Sequence, residues 1–198
     1  MDDIEIVEKC YNISPIDGRY YKKVKKLSNY FSEAALIYYR CKVEIEYLIY
    51  LTKFLNIDIS CNNNTQYSFE QKLRHLYTSF DDKSILEIKN IEATKNHDVK
   101  AVEIYLRQKI TDYKMEYLLE YIHFGLTSQD VNSTSYVLSM KQASQVVILP
   151  ELTILKSQII EKCKQWGDIA IITKTHGQPA SPSILGKEIY VFVDRLNK

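Results

Sequence analysis

Apolar residues recur every three or four positions over most of the chain. From Phe31 the series Phe31, Ala34, Tyr38, Cys41, Ile45, Leu48, Thr52, Leu55 keeps that interval, with Lys42, Glu44, Glu46 and Lys53 between. This spacing predicts one amphipathic helix of about seven turns. After a polar loop, Asn62-Asn63-Asn64-Thr65, shorter helical patterns pass through Leu73 and Leu76, then Ile85, Ile88 and Ile91, then Val99, Val102 and Leu106. Asp98 is placed to cap the last of these, because a carboxylate can accept from the unpaired amides of a first turn. Short connections favour packed antiparallel helices.

A second long helix is predicted after Thr127-Ser128, with Ser128 as a cap, Asp130 in its first turn and an end near Trp166. Ile148, Leu152, Leu155, Ile159, Cys163 and Trp166 keep helical spacing in its second half, while Pro150 predicts a kink or break there. Beyond Trp166-Gly167 the periodicity stops. Thr175-His176-Gly177-Gln178-Pro179 and Ser181-Pro182 read as a loop that no helix accommodates. A last helical pattern begins near Ser183 and runs to Lys198 without a glycine cap or polar tail, so the chain is expected to be a fragment. The fold class predicted is all-α. Residues 1–122 would form an N-terminal helical domain and residues 123–198 the first long helices of an incomplete central bundle.

The 198 residues are 45% hydrophobic and 26% charged, with five Gly and four Pro, which excludes collagen-like, low-complexity and wholly disordered classes. Lys and Arg number 26 against 25 Asp and Glu, so no net field favours a nucleic acid or an anionic membrane as partner. The run Lys22–Lys26 reads as a solvated face. The longest segment without Asp, Glu, Lys or Arg, Thr175–Gly186, is far shorter than a membrane span. An acidic start, Met1-Asp2-Asp3 with Glu5, fits neither a secretory signal nor a transit peptide, and a cytoplasmic location is expected. Cys10, Cys41, Cys61 and Cys163 are scattered without a Cys-x-x-Cys pair, so they predict buried small residues and no zinc site or disulfide framework.

Chemistry is concentrated in four segments that interrupt the helices. Ser14-Pro15-Ile16-Asp17-Gly18-Arg19-Tyr20 is a turn holding an arginine that can grip a phosphate or carboxylate; its plain alternative is a surface turn with an Asp17–Arg19 contact. Asn96-His97-Asp98 sets an amide, an imidazole and a carboxylate at a helix N-terminus, where anions are attracted, although capping by Asp98 with His97 exposed explains it too. In His123-Phe124-Gly125-Leu126-Thr127-Ser128-Gln129-Asp130 two hydroxyls stand at a helix start, and capping accounts for Ser128 almost as well. His123, among Tyr121, Ile122 and Phe124, reads as a packed histidine, and His75, between Arg74 and Leu76 in an ordinary helical run, reads as structural and not functional. The fourth, Lys174 to Pro182, holds His176 in a Gly- and Pro-fixed loop among hydrogen-bonding side chains, a setting suited to proton transfer near neutral pH. No phosphate-cradling glycine loop, Gly-x-Ser-x-Gly elbow or His-Glu-x-x-His pair occurs.

In this order, and separated by long helices, Ser-Pro-Ile-Asp-Gly-Arg-Tyr, Asn-His-Asp-Val-Lys-Ala-Val-Glu, His-Phe-Gly-Leu-Thr-Ser-Gln-Asp and Thr-His-Gly-Gln-Pro-Ala-Ser-Pro-Ser span residues 14 to 183. The set resembles the adenylosuccinate lyase family of the fumarase and aspartase superfamily. The resemblance implies a β-elimination that releases fumarate from adenylosuccinate, giving AMP, and from the succinylated aminoimidazole carboxamide ribotide of purine biosynthesis. It implies no metal or organic cofactor, and a homotetramer whose sites draw on three subunits. It makes His176 the general acid for the leaving nitrogen, Arg19 and Tyr20 nucleotide ligands near the phosphate, and Asn96, His97 and Asp98 lining residues. His97 would lie near the phosphate or act beside His176. Thr127 and Ser128 would hold a succinyl carboxylate, and Gln178 would help fix the His176 loop. Lys174 stands where relatives often have arginine, and Ser181 where threonine is common.

The resemblance also implies parts not found here. The family's Ser-Ser-x-Met-Pro-x-Lys-x-Asn-Pro signature, which supplies the serine base, is absent from the 198 residues, as are the later helices and arginines of the site. The expectation is therefore a chain that is catalytically incompetent alone. Two other readings stand beside it: a short nucleotide-binding relative without lyase activity, and a helical assembly module whose four segments are only caps and turns.

Overall fold

A computed structural model describes residues 12–59 and 66–198. The polar loop at 62–65, together with Cys10 and Cys61, lies outside the described residues. The chain divides into two compact units, Met1–Gln142 and Ala143–Lys198.

In the first unit, two single-turn helices, Tyr21–Val24 and Ser28–Phe31, lead into α1, Glu33–Phe54. The expected first long helix is present, but it starts at Glu33 because Ser32 turns the chain and its hydroxyl accepts from the Ala35 amide at 3.1 Å. Phe31 and Leu55, the ends of the apolar series, are exposed, whereas Cys41, Ile45, Leu48 and Thr52 are buried as the spacing predicts. Then follow α2, Gln66–Thr78, α3, Asp82–Lys95, and α4, Asp98–Asp112. Asp81 caps α3 through the Ser84 amide, and Asn96 ends it in the left-handed conformation at φ 53°, which asparagine tolerates better than most residues. α1 packs on α2 and α4, and α3 on α4. Ile45, Leu48, Phe69, Leu73, Ile88, Val102, Leu106, Ile110 and Leu118 make a single core between them. A 3₁₀ segment, Glu116–Tyr121, closes the core before α5, Ser128–Ala143.

The predicted break at Pro150 takes a specific form. After α5 the chain makes one π-helical turn, Ser144–Ile148, in which the Leu149 amide reaches five residues back to the Ser144 carbonyl; α6, Leu149–Gln165, then begins with proline in its first turn. Proline has no amide to give, and its ring would strike the carbonyl four residues back in an α-helix; the wider turn accommodates both.

The expected loop beyond Gly167 is a β-hairpin. β1, Ala170–Thr175, pairs antiparallel with β2, Gln178–Ile184, with an irregularity between Ile172 and Lys174. Alternating Ile171 and Thr173 suit a strand, and the two prolines fall in β2 of a two-stranded sheet, where one edge is unpaired. α7, Leu185–Leu196, completes the second unit and packs on α6. Gly186 makes that approach possible: its amide donates to the Trp166 carbonyl at 3.1 Å, and a Cβ there would overlap the Cys163 carbonyl oxygen. The class is all-α with one small hairpin. No described helix is long and apolar enough to cross a membrane.

Candidate functional site

The Ser14–Tyr20 segment is a compact turn stitched by its own backbone. Gly18 and Tyr20 amides donate to the Ser14 and Pro15 carbonyls, and the Asp17 carboxylate accepts from the Ser14 amide at 3.3 Å. Asp17 thus serves the turn, and the Arg19 guanidinium lies 5.6 Å from the Tyr20 ring centroid, with Lys23 at 5.8 Å from the same ring. Both Arg19 and Tyr20 are exposed, presenting a cation and a phenol to solvent.

At the start of α4 the structure corrects the expected cap. His97, in extended conformation, is the capping residue: its Nδ1 accepts from the Lys100 amide at 3.2 Å. Accepting at Nδ1 leaves the proton of a neutral ring on Nε2, so a half-exposed His97 presents an N–H outward. Asp98 sits one residue inside the helix and accepts from the Val99 amide at 2.9 Å and from Arg40 at 2.6 Å. Burial pushes its carboxyl up, but these two donors together hold it below the usual aspartate range.

At the start of α5 the Asp130 carboxylate reaches back to the Thr127 amide at 2.8 Å and accepts from the Thr127 hydroxyl at 2.9 Å, one arm of a capping box. Ser128 is therefore not the residue that closes this end. Those hydrogen bonds draw the Asp130 carboxyl below its ordinary value. Thr127 can donate to an incoming carboxylate only by rotating its hydroxyl away from Asp130. The amides at a helix start attract anions, so the beginning of α5 and the Ser128 hydroxyl are the other groups here that could meet one.

Two charged residues of α1, neither of them a predicted site residue, contact these segments. Arg40 and Glu44 are 4% and 2% exposed, one turn apart on α1. Arg40 donates from Nε to Asn132 on α5 at 2.8 Å as well as to Asp98. The Glu44 Oε1 stands 2.5 Å from the His123 Nδ1, while Oε2 is buried and has no side-chain partner among the described residues. Burial raises the Glu44 carboxyl, and the His123 contact opposes only part of that rise. His123 is packed, as its neighbours predict, but against a carboxylate and in the left-handed conformation at φ 60°. Glu44 counts among the polar residues between the apolar positions of α1, yet it is buried, because the buried face of α1 is wider than the apolar series and takes in positions 40 and 44.

In the second unit His176 and Gly177 form the tip of the hairpin. Their positive φ values, 52° and 77°, are those of a two-residue type I′ turn, which glycine supplies freely and histidine tolerates. Thr175 and Gln178 pair across the turn. His176, Gln178 and Lys174 are all exposed. Within the first unit the structure brings the Asn96–Asp98 and Thr127–Asn132 segments together through Arg40; among the described residues no hydrogen bond or ion pair joins Arg19 or Tyr20 to either. Among the described residues no group of His, Cys, Asp or Glu has the arrangement of a metal site.

Comparison with known proteins gives these segments a context. Residues 18–198 match the family described as "Lyase". The chain is 45% identical over 190 residues to an adenylosuccinate lyase of Dictyostelium discoideum, covering 93% of this chain and 40% of that protein. It is 42% identical over 188 residues to that of Legionella pneumophila strain Corby, covering 94% and 41% respectively. Against that of Escherichia coli K12 the identity is 38% over 179 residues, covering 89% and 39%. The chain thus spans about two fifths of the length of these curated relatives. Among solved structures, the β-carboxy-cis,cis-muconate cycloisomerase of Acinetobacter calcoaceticus superposes with a TM-score of 0.67 at 15% identity, over 90% of this chain and 40% of that one. The 3-carboxy-cis,cis-muconate lactonizing enzyme of Pseudomonas putida gives 0.63 at 19% identity, over 87% and 37%. At such identities the likeness is one of fold.

Proposed function

The chain belongs to the lyase family matched by its residues 18–198, and on that premise we propose that it is the N-terminal portion of an adenylosuccinate lyase. The observation that carries this reading is the 45% identity to a protein of that name along almost the whole chain, with all four motif segments present in order. The reaction is elimination of fumarate from adenylosuccinate, and from succinylaminoimidazole carboxamide ribotide. A base outside these residues removes the proton from the succinyl carbon beside a carboxylate. The electron pair left behind forms the carbon–carbon double bond as the carbon–nitrogen bond breaks, and His176 delivers a proton to the departing nitrogen.

Each segment has a part suited to its groups. Arg19 and Tyr20 bind the nucleotide near its phosphate, and the outward Nε2–H of His97, with Asn96 and Asp98, lines the site. Thr127, Ser128 and the first-turn amides of α5 hold a succinyl carboxylate, whose charge grows during proton removal; fixed donors of this kind stabilise such a transition state. Gln178 holds the hairpin tip. The exposed tip of a short hairpin suits a group that must meet a substrate built largely on other elements. A division of labour between an N-terminal helical domain, residues 1–122, and a central bundle beginning at residue 123, a homotetrameric assembly and a cytoplasmic location belong to the same proposal.

The test is to incubate the native full-length protein with adenylosuccinate. Equimolar AMP and fumarate are expected. AMP binding without any fumarate would replace this reading with that of a nucleotide-binding relative, and neither binding nor turnover would leave a helical assembly module.

A further inference from the structure

The centre of α1 is where a core helix is least expected to hold charge. Arg40 and Glu44 are nearly inaccessible, flanked along the same helix by the buried Ile37, Cys41, Ile45 and Leu48. Burying ions is costly, and apolar side chains of similar size commonly serve stability as well or better. Their value therefore lies in what they hold.

Residues four apart project from one face of a helix. From that face Arg40 reaches Asp98, at the start of α4, and Asn132, in the second turn of α5, so a single guanidinium spans two helix beginnings. One turn along, Glu44 takes His123 through Nδ1 at 2.5 Å. Another turn on, the Tyr47 hydroxyl donates to the Phe124 carbonyl at 2.9 Å. His123 and Gly125 both have positive φ, a conformation glycine adopts freely but histidine only with some cost, so the chain leading to Thr127 needs support at His123. The Glu44 and Tyr47 contacts hold it there.

We propose that Arg40 and Glu44 are positioning residues: from one rigid helix they fix the Asn96–Asp98 and His123–Ser128 segments relative to each other, so that the nucleotide-facing and carboxylate-facing donors keep one geometry. This rests on the lyase reading for its effect on turnover, and on the contacts alone for its effect on the fold. Guanidinium geometry explains the choice of arginine, because its planar fork addresses Asp98 and Asn132 at once, whereas a lysine offers one mobile point charge.

The experiment uses the full-length native protein with Arg40→Lys, Glu44→Gln and Asn132→Ala, the last removing one Arg40 acceptor while leaving the Arg40–Asp98 ion pair in place. Arg74→Lys serves as control, since Arg74 pairs with Glu46 and Glu70 away from both segments. Backbone hydrogen exchange is followed over residues 97–101 and 123–131, and fumarate release is followed in parallel. Exchange in those segments should quicken, and kcat should fall by about tenfold or more with a smaller change in KM, because displacement of fixed donors by a fraction of an ångström is felt mainly in the transition state. Exchange elsewhere and the control should be unchanged. Unaltered exchange in both segments of a folded variant overturns the clamp. Faster exchange with unaltered kcat and KM overturns its part in catalysis. If the parent protein itself releases no fumarate, it is the lyase reading that fails, and exchange alone decides the clamp.

Discussion

The two compact units solve the problem of stability differently. In the first, α1, α2, α3 and α4 enclose a shared core in which Phe69, Leu73, Leu106 and Ile110 are fully buried, and polar contacts from α1 fix the surrounding loops. In the second, the buried residues are few, among them Ala143, Cys163, Gly186 and Val193. Leu149, Leu152, Ile154, Leu155, Tyr190, Val191 and Phe192 are exposed. A hydrophobic stripe at helical spacing marks a face that packs; it does not say against what. The first unit holds its own structure through side-chain volume, whereas the second relies on backbone devices: a π-turn, a tight hairpin turn and a glycine contact between helices.

The sharpest test of the contrast sets function against packing. In the full-length native protein His176→Asn should lower kcat by about a hundredfold or more, as expected for loss of a general acid, while asparagine keeps the left-handed turn and the unfolding temperature barely moves. A comparable loss of stability would reduce His176 to a turn residue. Next in size, Leu106→Ala should cost about 3 kcal/mol by denaturant unfolding, whereas Leu152→Ala in the second unit should cost under about 0.5 kcal/mol in this 198-residue chain. Equal costs would mean that the Leu152 face is covered in solution.

Smaller effects refine the picture. Gly186→Ala should destabilise the second unit by about 2 kcal/mol, because the new methyl group meets a carbonyl oxygen of α6; limited proteolysis at the hairpin is the readout, and an unaffected rate would show that α7 can shift. Arg19→Ala in the native protein should weaken AMP binding by about 1.5 kcal/mol, the worth of one charge-assisted contact, measured by calorimetry. The least is electrostatic. Asp98 titrates below its ordinary value of 3.8, so its stabilisation is complete above that value and is lost as pH falls through the lower folded-state value. The difference in unfolding temperature between the parent and Asp98→Asn should therefore be full near about pH 6 and shrink below about pH 4. A constant difference would show that Asp98 acts without its charge.

Local rules carried much of this molecule. The apolar series through Cys41, Ile45, Leu48 and Thr52 is the buried stripe of α1, and the shorter patterns through Leu73, Ile88 and Leu106 became α2, α3 and α4. The errors are those of competing local options. Asp98 and His97 can both cap α4, and Arg40 took the aspartate from a distance, leaving the cap to histidine. Residues 175–182 read as a loop, with a helix expected from Ser183, because prolines and glycine hide a strand whose partner lies only a turn away; β2 runs on to Ile184.

The amino-acid sequence by itself determined the helical class, the segments where helices stop, and the order of four chemically unusual motifs, because each depends on neighbours within about one or two turns. Only the tertiary structure decided what the buried charges do. Arg40 meets Asp98 and Asn132, and Glu44 meets His123, across 58, 92 and 79 residues of chain. No periodicity carries such a pairing, since it exists only once the core has brought the starts of α4 and α5 and the connection holding His123 to one face of α1.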